Sequence, residues 1–252
     1  MRLLRRHVLG LALAFAALSS VASVYAAGTV NAAVAANFTQ VATDLAAKFK
    51  DKTGDDVKLS FGATGALYTQ ITQAAPFDVF LSADDKRTAT AIKDGFGIAG
   101  TDFTYAVGKV VLYSPTLDLS NGDAVLIGNA FAHIAIADPK AAPYGAAAMA
   151  TLDKLGLTAA ITPKIVTGES ITQAQQFVDS GSAELGFVAL SQVIGKPATQ
   201  VWMVPQDDYP AIKQNAVLLK PGADNQAAKD FLAYLKSDEA AAVIKAAGYT
   251  LE

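Results

Sequence analysis

Four short turns hold the residues best suited to chemistry in this chain. They are Ala36-Asn37, Ala63-Thr64-Gly65, Pro143-Tyr144-Gly145 and Glu169-Ser170-Ile171. Each precedes a stretch whose apolar residues recur at helical spacing. Each therefore offers unpaired backbone N–H groups and the positive end of a helix dipole. Asn37, Thr64 and Tyr144 add neutral side-chain donors, and Ile171 offers only its backbone. Brought together across a cleft, these groups form a cage of donors without a formal positive charge. Such a cage suits a compact, fully ionised oxyanion.

Taken singly, each residue has a plainer role. Asn37 and Thr64 are ordinary helix-capping types. Tyr144 could be a half-buried core aromatic with its hydroxyl satisfied locally. Asn37-Phe38-Thr39 also matches a glycosylation sequon, a pattern common by chance. Recurrence at successive strand-to-helix turns is what favours a common site.

Those turns are positioned by an alternation of short apolar runs and amphipathic stretches, the pattern of an α/β chain. Thr29 to Ala35 reads as a buried strand, and Phe38, Val41, Leu45 and Phe49 as the face of a helix ending at Gly54. Val57 to Phe61 and Asp78 to Ser82 read as further strands, each feeding a helix through a very short loop. That is the signature of parallel βαβ units. Lys109 to Tyr113, His133 to Ala137, Lys164 to Val166, Leu185 to Ala189 and Ala216 to Leu219 read as later strands. Helices are expected around Met149, Leu152 and Leu155, around Phe177 and Val178, around Phe231, Leu232 and Leu235, and around Val243 and Ile244. Two α/β units of this size predict two lobes with a cleft, where ligands bind at the carboxyl ends of strands.

Composition narrows the chemistry. The chain has 252 residues, 52% of them hydrophobic, enough for a real core and too apolar for disorder. With no Cys, disulfide frameworks and zinc–cysteine centres are excluded. Lys+Arg number 20 against 23 Asp+Glu, so a strongly basic nucleic-acid binder is not expected. Arg2, Arg5 and Arg6 precede an apolar run from Val8 to Leu18, followed by Val24-Tyr25-Ala26. This reads as a secretory signal peptide, residues 1–26, cleaved after Ala26. The Arg5-Arg6 pair matches a twin-arginine signal poorly in its flanks. Loss of three Arg moves the net charge from −3 to −6 and leaves His133 as the single histidine. A His-rich metal site is then impossible, and no directly bound metal or cofactor is expected. An exported hydrolase would have to use His133 alone as its base.

Other signals carry no chemistry. Gly95-Phe96-Gly97-Ile98-Ala99-Gly100 matches G-x-G-x-x-G but follows a helix rather than a strand. No P-loop and no G-x-S-x-G elbow is present. Asp84-Asp85 and Asp207-Asp208 read as caps or loop charges, because adjacent side chains diverge. No nucleophile is paired with a base, so no enzyme is expected.

Three blocks carry a family resemblance. They are Val34-Ala35-Ala36-Asn37-Phe38, Phe61-Gly62-Ala63-Thr64-Gly65, and Ala75-Pro76-Phe77-Asp78-Val79-Phe80-Leu81-Ser82-Ala83-Asp84. With Ala137-Asp138-Pro139, Pro143-Tyr144-Gly145 and the closing Tyr249-Thr250-Leu251, the chain resembles the periplasmic molybdate-binding proteins of ABC importers, from residue 28 to 252. The resemblance implies a type II periplasmic-binding fold, with two α/β lobes around a ligand cleft joined by two chain crossings. It implies lobe I as residues 27–106 and 210–252, and lobe II as 107–209. Ligand positions carried over fall on Asn37, Thr64, Tyr144 and Ile171, and Ala36 and Ala63 could lend backbone N–H groups. Many members carry Ser in place of Asn37 and of Thr64, and a Tyr donor in place of Ala189, so Tyr144 is expected to supply the missing hydroxyl. The implied ligand is molybdate, and tungstate with it. The implied partner is an inner-membrane ABC permease, and the protein is expected as a periplasmic monomer. A same-fold binder of sulfate or thiosulfate is the alternative reading.

Overall fold

The structure, a computed structural model, describes residues 27–252. The expected signal peptide, residues 1–26, lies outside the described residues.

The first strand, β1 (Thr29–Ala35), lies between two parallel neighbours, β2 (Asp56–Gly62) and β3 (Val79–Leu81). A parallel strand covered on both faces must be apolar nearly throughout. That is why Val30, Ala32, Ala33 and Val34 run almost without polar interruption and are fully buried. Helix α1 (Thr39–Thr53) follows β1, α2 (Thr64–Thr72) follows β2, and α3 (Asp85–Lys93) follows β3. Helix α1 buries Val41, Leu45 and Phe49 on one face and stops at Gly54, whose φ of 82° few other residues would accept.

The chain then forms β4 (Phe103–Gly108), and after the single residue Lys109 it enters a second sheet with β5 (Val110–Tyr113). Helix α4 (Gly122–Gly128), β6 (Ile134–Ala137), α5 (Pro143–Lys154), α6 (Thr158–Ile161), β7 (Ile165–Gly168), α7 (Ile171–Asp179), β8 (Leu185–Ala189) and β9 (Val201–Met203) complete that half. The chain returns through β10 (Ile212–Leu218), and α8 (Gln226–Tyr234) and α9 (Asp238–Ala246) pack on the first sheet.

The sheets run β2-β1-β3-β10-β4 and β7-β6-β8-β5-β9. Both follow one scheme: a parallel trio extended on one side by a strand of opposite direction, β10 or β5, and then by an edge strand antiparallel to that one. The chain passes between them twice, at Lys109 and through residues 204–211. The expected type II periplasmic-binding architecture, two α/β lobes joined by two crossings, is therefore present.

Each sheet has its own core. In the first, Phe49 meets Phe231 edge-on at 5.3 Å between ring centroids, and Phe38 meets Tyr105 at 4.8 Å and Tyr249 at 5.4 Å. Burial of each such ring stabilises the fold by roughly 1.5–3 kcal/mol. The second core centres on Leu112, Ile136 and Phe187, and it also takes in Ala35, Ala36, Ala63 and Ala83 from the first lobe. The facing walls of the cleft are thus packed together.

Strands β4 and β9 and the first half of β10 were not expected from the pattern. In β10, Gln214 and Asn215 are buried polar residues that precede its apolar end, Ala216 to Leu218. His133 lies exposed just before β6, its backbone N–H held by the Glu184 carboxylate at 2.8 Å. Asp84 caps α3 by accepting from Arg87 N at 2.8 Å. The glycine-rich run after α3 is a turn, bridged at Gly97 to Leu219.

Candidate oxyanion site

The turns after β1, β2, β6 and β7 meet around one small cavity. Its walls are Ala35, Ala36, Asn37, Gly62, Ala63, Thr64 and Ala83 from the first lobe, and Ala142, Pro143, Tyr144 and Ile171 from the second. Asn37, Thr64, Tyr144, Ile171, Ala36 and Ala63, dispersed over the sequence, stand side by side. The cavity measures about 10 Å³, on the scale of the room one water needs. Among the described residues that line it, none carries a formal charge.

Helix capping differs between this region and most of the fold, although the short α6 also begins without a side-chain cap. Helices α3, α4, α8 and α9 are capped by the side chains of Asp84, Asn121, Asn225 and Ser237. Helices α1, α2 and α5 begin without a side-chain cap, after Phe38, Ala63 and Ala142. Asn37 and Thr64, both good capping types, cap neither α1 nor α2. Helix α7 is capped by Ser170, which accepts from Gln173 N at 3.3 Å and so leaves the N–H of Ile171 outside the cap. First-turn N–H groups have no intrahelical acceptor, so the single turn Ala36–Phe38 that leads into α1, the starts of α2 and α5, and Ile171 converge on the cavity with donors.

The side chains add detail that residue type alone does not show. Thr64 Oγ1 accepts from Ala83 N at 3.0 Å and keeps its own proton to donate. Asn37 is buried, and its Nδ2 donates to Gln214 Oε1 at 2.8 Å and to Tyr249 Oη at 2.9 Å. Its side-chain nitrogen is thereby engaged below the cavity, and its backbone N–H remains as a donor. Tyr144 Oη accepts from Gln214 Nε2 at 3.2 Å. Burial, then the nearby phenols of Tyr249, Tyr105 and Tyr209, push the Tyr144 hydroxyl well above the usual tyrosine range. Burial does the same for Tyr105 and raises Tyr249. These phenols stay protonated at neutral pH and remain donors.

Four residues beneath the cavity were not singled out for this site by type or spacing: Gln214, Tyr249, Tyr105 and Ser191. Tyr105 Oη lies 3.1 Å from both Ser82 O and Gln214 Oε1, and Ser191 Oγ donates to Asn37 O at 3.0 Å. Gln214 stands two residues before the apolar run Ala216 to Leu219 that marks the strand in the sequence.

The lobes also touch at the rim. Gly65 N donates to Ala141 O at 2.8 Å, and Arg87 Nη2 donates to Lys140 O at 2.7 Å. On the opposite flank, a groove of about 900 Å³ runs between α1, α7 and α9 and reaches Ala36 and Asn37. Its open walls carry Asp44 and Lys48, so it has the character of an approach rather than a neutral cage.

The model of the family described as bacterial extracellular solute-binding protein matches residues 30–250. The chain belongs to that family. This solute-binding chain is 53% identical over 227 residues to the molybdate-binding protein ModA of Rhodobacter capsulatus, covering 90% of each. The solved periplasmic molybdate-binding protein of Azotobacter vinelandii matches with a TM-score of 0.84 at 41% identity, over 88% of this chain and 99% of that one. The sulfate-binding protein SubI from Mycobacterium tuberculosis H37Rv shares the fold, with a TM-score of 0.68 at 15% identity over 88% and 86% of the two chains. Family membership makes this a solute-binding protein rather than an enzyme.

Proposed function

We propose that this solute-binding protein captures molybdate, and tungstate with it, and delivers it to an ABC permease of the inner membrane. The observation that carries this reading is the neutral cavity on which uncapped helix starts from both lobes converge. The names of the relatives from Rhodobacter capsulatus and Azotobacter vinelandii support it. So does export: residues 1–26 read as a signal peptide, which would place a monomeric mature protein in the periplasm.

Molybdate is a tetrahedral dianion with no proton at neutral pH. A cage built from N–H groups, the Thr64 hydroxyl and the Tyr144 phenol offers it donors on all sides. Hydrogen phosphate would bring a hydroxyl that needs an acceptor, and leaving it unpaired costs about 1–3 kcal/mol. Micromolar affinity requires only ~8 kcal/mol, within reach of several charge-assisted hydrogen bonds after desolvation. Donor type does not separate molybdate from sulfate, so cavity size must. The ligand enters with the lobes apart, and their closure presents one shape to the permease.

Calorimetric titration with molybdate, tungstate and sulfate tests this. Tight one-to-one binding of the first two, without heat from sulfate, is expected. Equal sulfate binding would move the function to general oxyanion import. Silence with all three would overturn the site.

A further inference from the structure

Gln214 is fully buried on β10, beside the first chain crossing, where it pairs across from Ala106. Its side chain has one acceptor oxygen and one donor nitrogen, and it reaches a cavity residue of each lobe. The oxygen accepts from Asn37 of the first lobe, and the nitrogen donates to Tyr144 of the second. The other proton of the Asn37 amide goes to Tyr249. Asn37 therefore has no side-chain proton left for a ligand. Tyr144 is in the opposite position: its oxygen accepts from Gln214, so its single proton is not taken by Gln214. The other phenol beside it, Tyr249, accepts from Asn37 and has a second lone pair, so it is the neutral acceptor that competes with a ligand for the Tyr144 proton. An oxyanion is a stronger acceptor than a neutral phenol, because charge-assisted hydrogen bonds are roughly twice as strong as neutral ones.

We propose that Gln214 is a positioning residue that selects which side chain donates to the oxyanion. It holds the Asn37 amide away from the cavity and turns the Tyr144 hydroxyl so that its proton faces the ligand. The Gln214 oxygen faces Asn37 and its nitrogen, which cannot accept, faces Tyr144, so Asn37 gives its proton to Gln214 and Tyr144 does not. This role rests on the oxyanion reading of the cavity.

Gln214→Glu tests it, because a carboxylate accepts from both neighbours and draws the phenol proton of Tyr144 away from the cavity. Molybdate affinity is measured by calorimetry for wild type, Tyr144→Phe, Asn37→Ala, Gln214→Glu and the double variant Tyr144→Phe with Gln214→Glu, with thermal unfolding as the check on folding. Tyr144→Phe is expected to weaken binding about tenfold in the wild-type background, the loss of one hydrogen bond to a charged group, and less than about twofold with Gln214→Glu. Equal costs in both backgrounds overturn the role. So does a cost confined to Asn37→Ala, which would mean that both amides are turned over and Asn37 is the donor. A second measurement uses wild type alone: the Tyr144 phenol vibration, assigned by subtraction of Tyr144→Phe, should move to a donating phenol on adding molybdate. An unmoved band overturns the role whether or not the variants fold. Wild type that binds no molybdate overturns the reading of the site as well, whereas binding with equal costs overturns the Gln214 role alone.

Discussion

Arg87, at the start of α3, donates from Nη2 to the carbonyl oxygen of Lys140 at 2.7 Å and so ties the first lobe to the second at the rim of the cleft. Its guanidinium is also held by the Asp84 carboxylate, which caps the same helix. A side chain fixed by its own helix and bonded across the cleft favours the closed arrangement. Arg87→Ala should leave association unchanged and speed molybdate release about fivefold, the effect of roughly 1 kcal/mol from a partly exposed charged hydrogen bond. Stopped-flow displacement by tungstate measures it. An unchanged release rate would mean that the contact does not hold the lobes.

Thr64 has two tasks in the structure, accepting from the buried Ala83 N–H and offering its proton to the cavity. Thr64→Ser keeps both and should bind within about threefold of wild type. Thr64→Val keeps the shape and leaves the Ala83 N–H unpaired, at a cost of about 1–3 kcal/mol in stability, with a loss of affinity besides. Urea unfolding and calorimetry on the two variants separate these effects. Equal stability of Thr64→Val and Thr64→Ser would remove the structural half of the assignment.

Gly108, where β4 meets the first crossing, has no room for a side chain. A Cβ there would lie 2.0 Å from Tyr144 Oη and 2.7 Å from Gln214 Nε2. Gly108→Ala should destabilise the fold by about 1–3 kcal/mol, as other overpacked sites do, and weaken molybdate binding by moving the phenol. Adding Tyr144→Phe should recover part of the stability and none of the binding. Full wild-type behaviour of Gly108→Ala would show that the hydroxyl can sit elsewhere.

Alkaline pH acts on the phenols. Burial holds Tyr105, Tyr144 and Tyr249 above their ordinary values, and burial followed by the Asp94 carboxylate takes Tyr68 to about 12. For an acid whose pKa is raised by folding, the contribution to stability is complete below the unfolded value. It is lost as pH rises from there through the folded value. The urea midpoint should therefore hold steady up to about pH 10, the ordinary tyrosine value, and fall above it. Tyr105→Phe should make that fall shallower. A midpoint with the same alkaline slope in both proteins would place the sensitive groups elsewhere.

The parallel units were legible because a strand buried on both faces must be apolar, as in β1, and because α1 repeats Val41, Leu45 and Phe49 at helical spacing. The turns were legible for the same reason: short loops after such strands have to sit at one edge of a sheet. The support beneath them was not. Asn37 and Tyr249 share a hydrogen bond across 212 positions of sequence, and no local spacing encodes such a pair. Gln214 lies between Lys213 and Asn215, ahead of the apolar run that marks its strand. Asn37 and Thr64 as types fit a cap and a ligand donor equally well, and only the geometry of α1 and α2 shows that they are not caps.

The strand order has a consequence for synthesis and secretion. Strand β10 lies between β3 and β4, yet it leaves the ribosome after every strand of the second sheet. A chain stopped before residue 212 can complete the second sheet from one continuous segment, while the first has a gap at its middle and two exposed strand edges. The first lobe therefore closes last, and Gln214 arrives with the strand that closes it. A chain stopped there would accordingly lack the Gln214 contacts to Asn37 and Tyr144 that join the two sheets beneath the cavity.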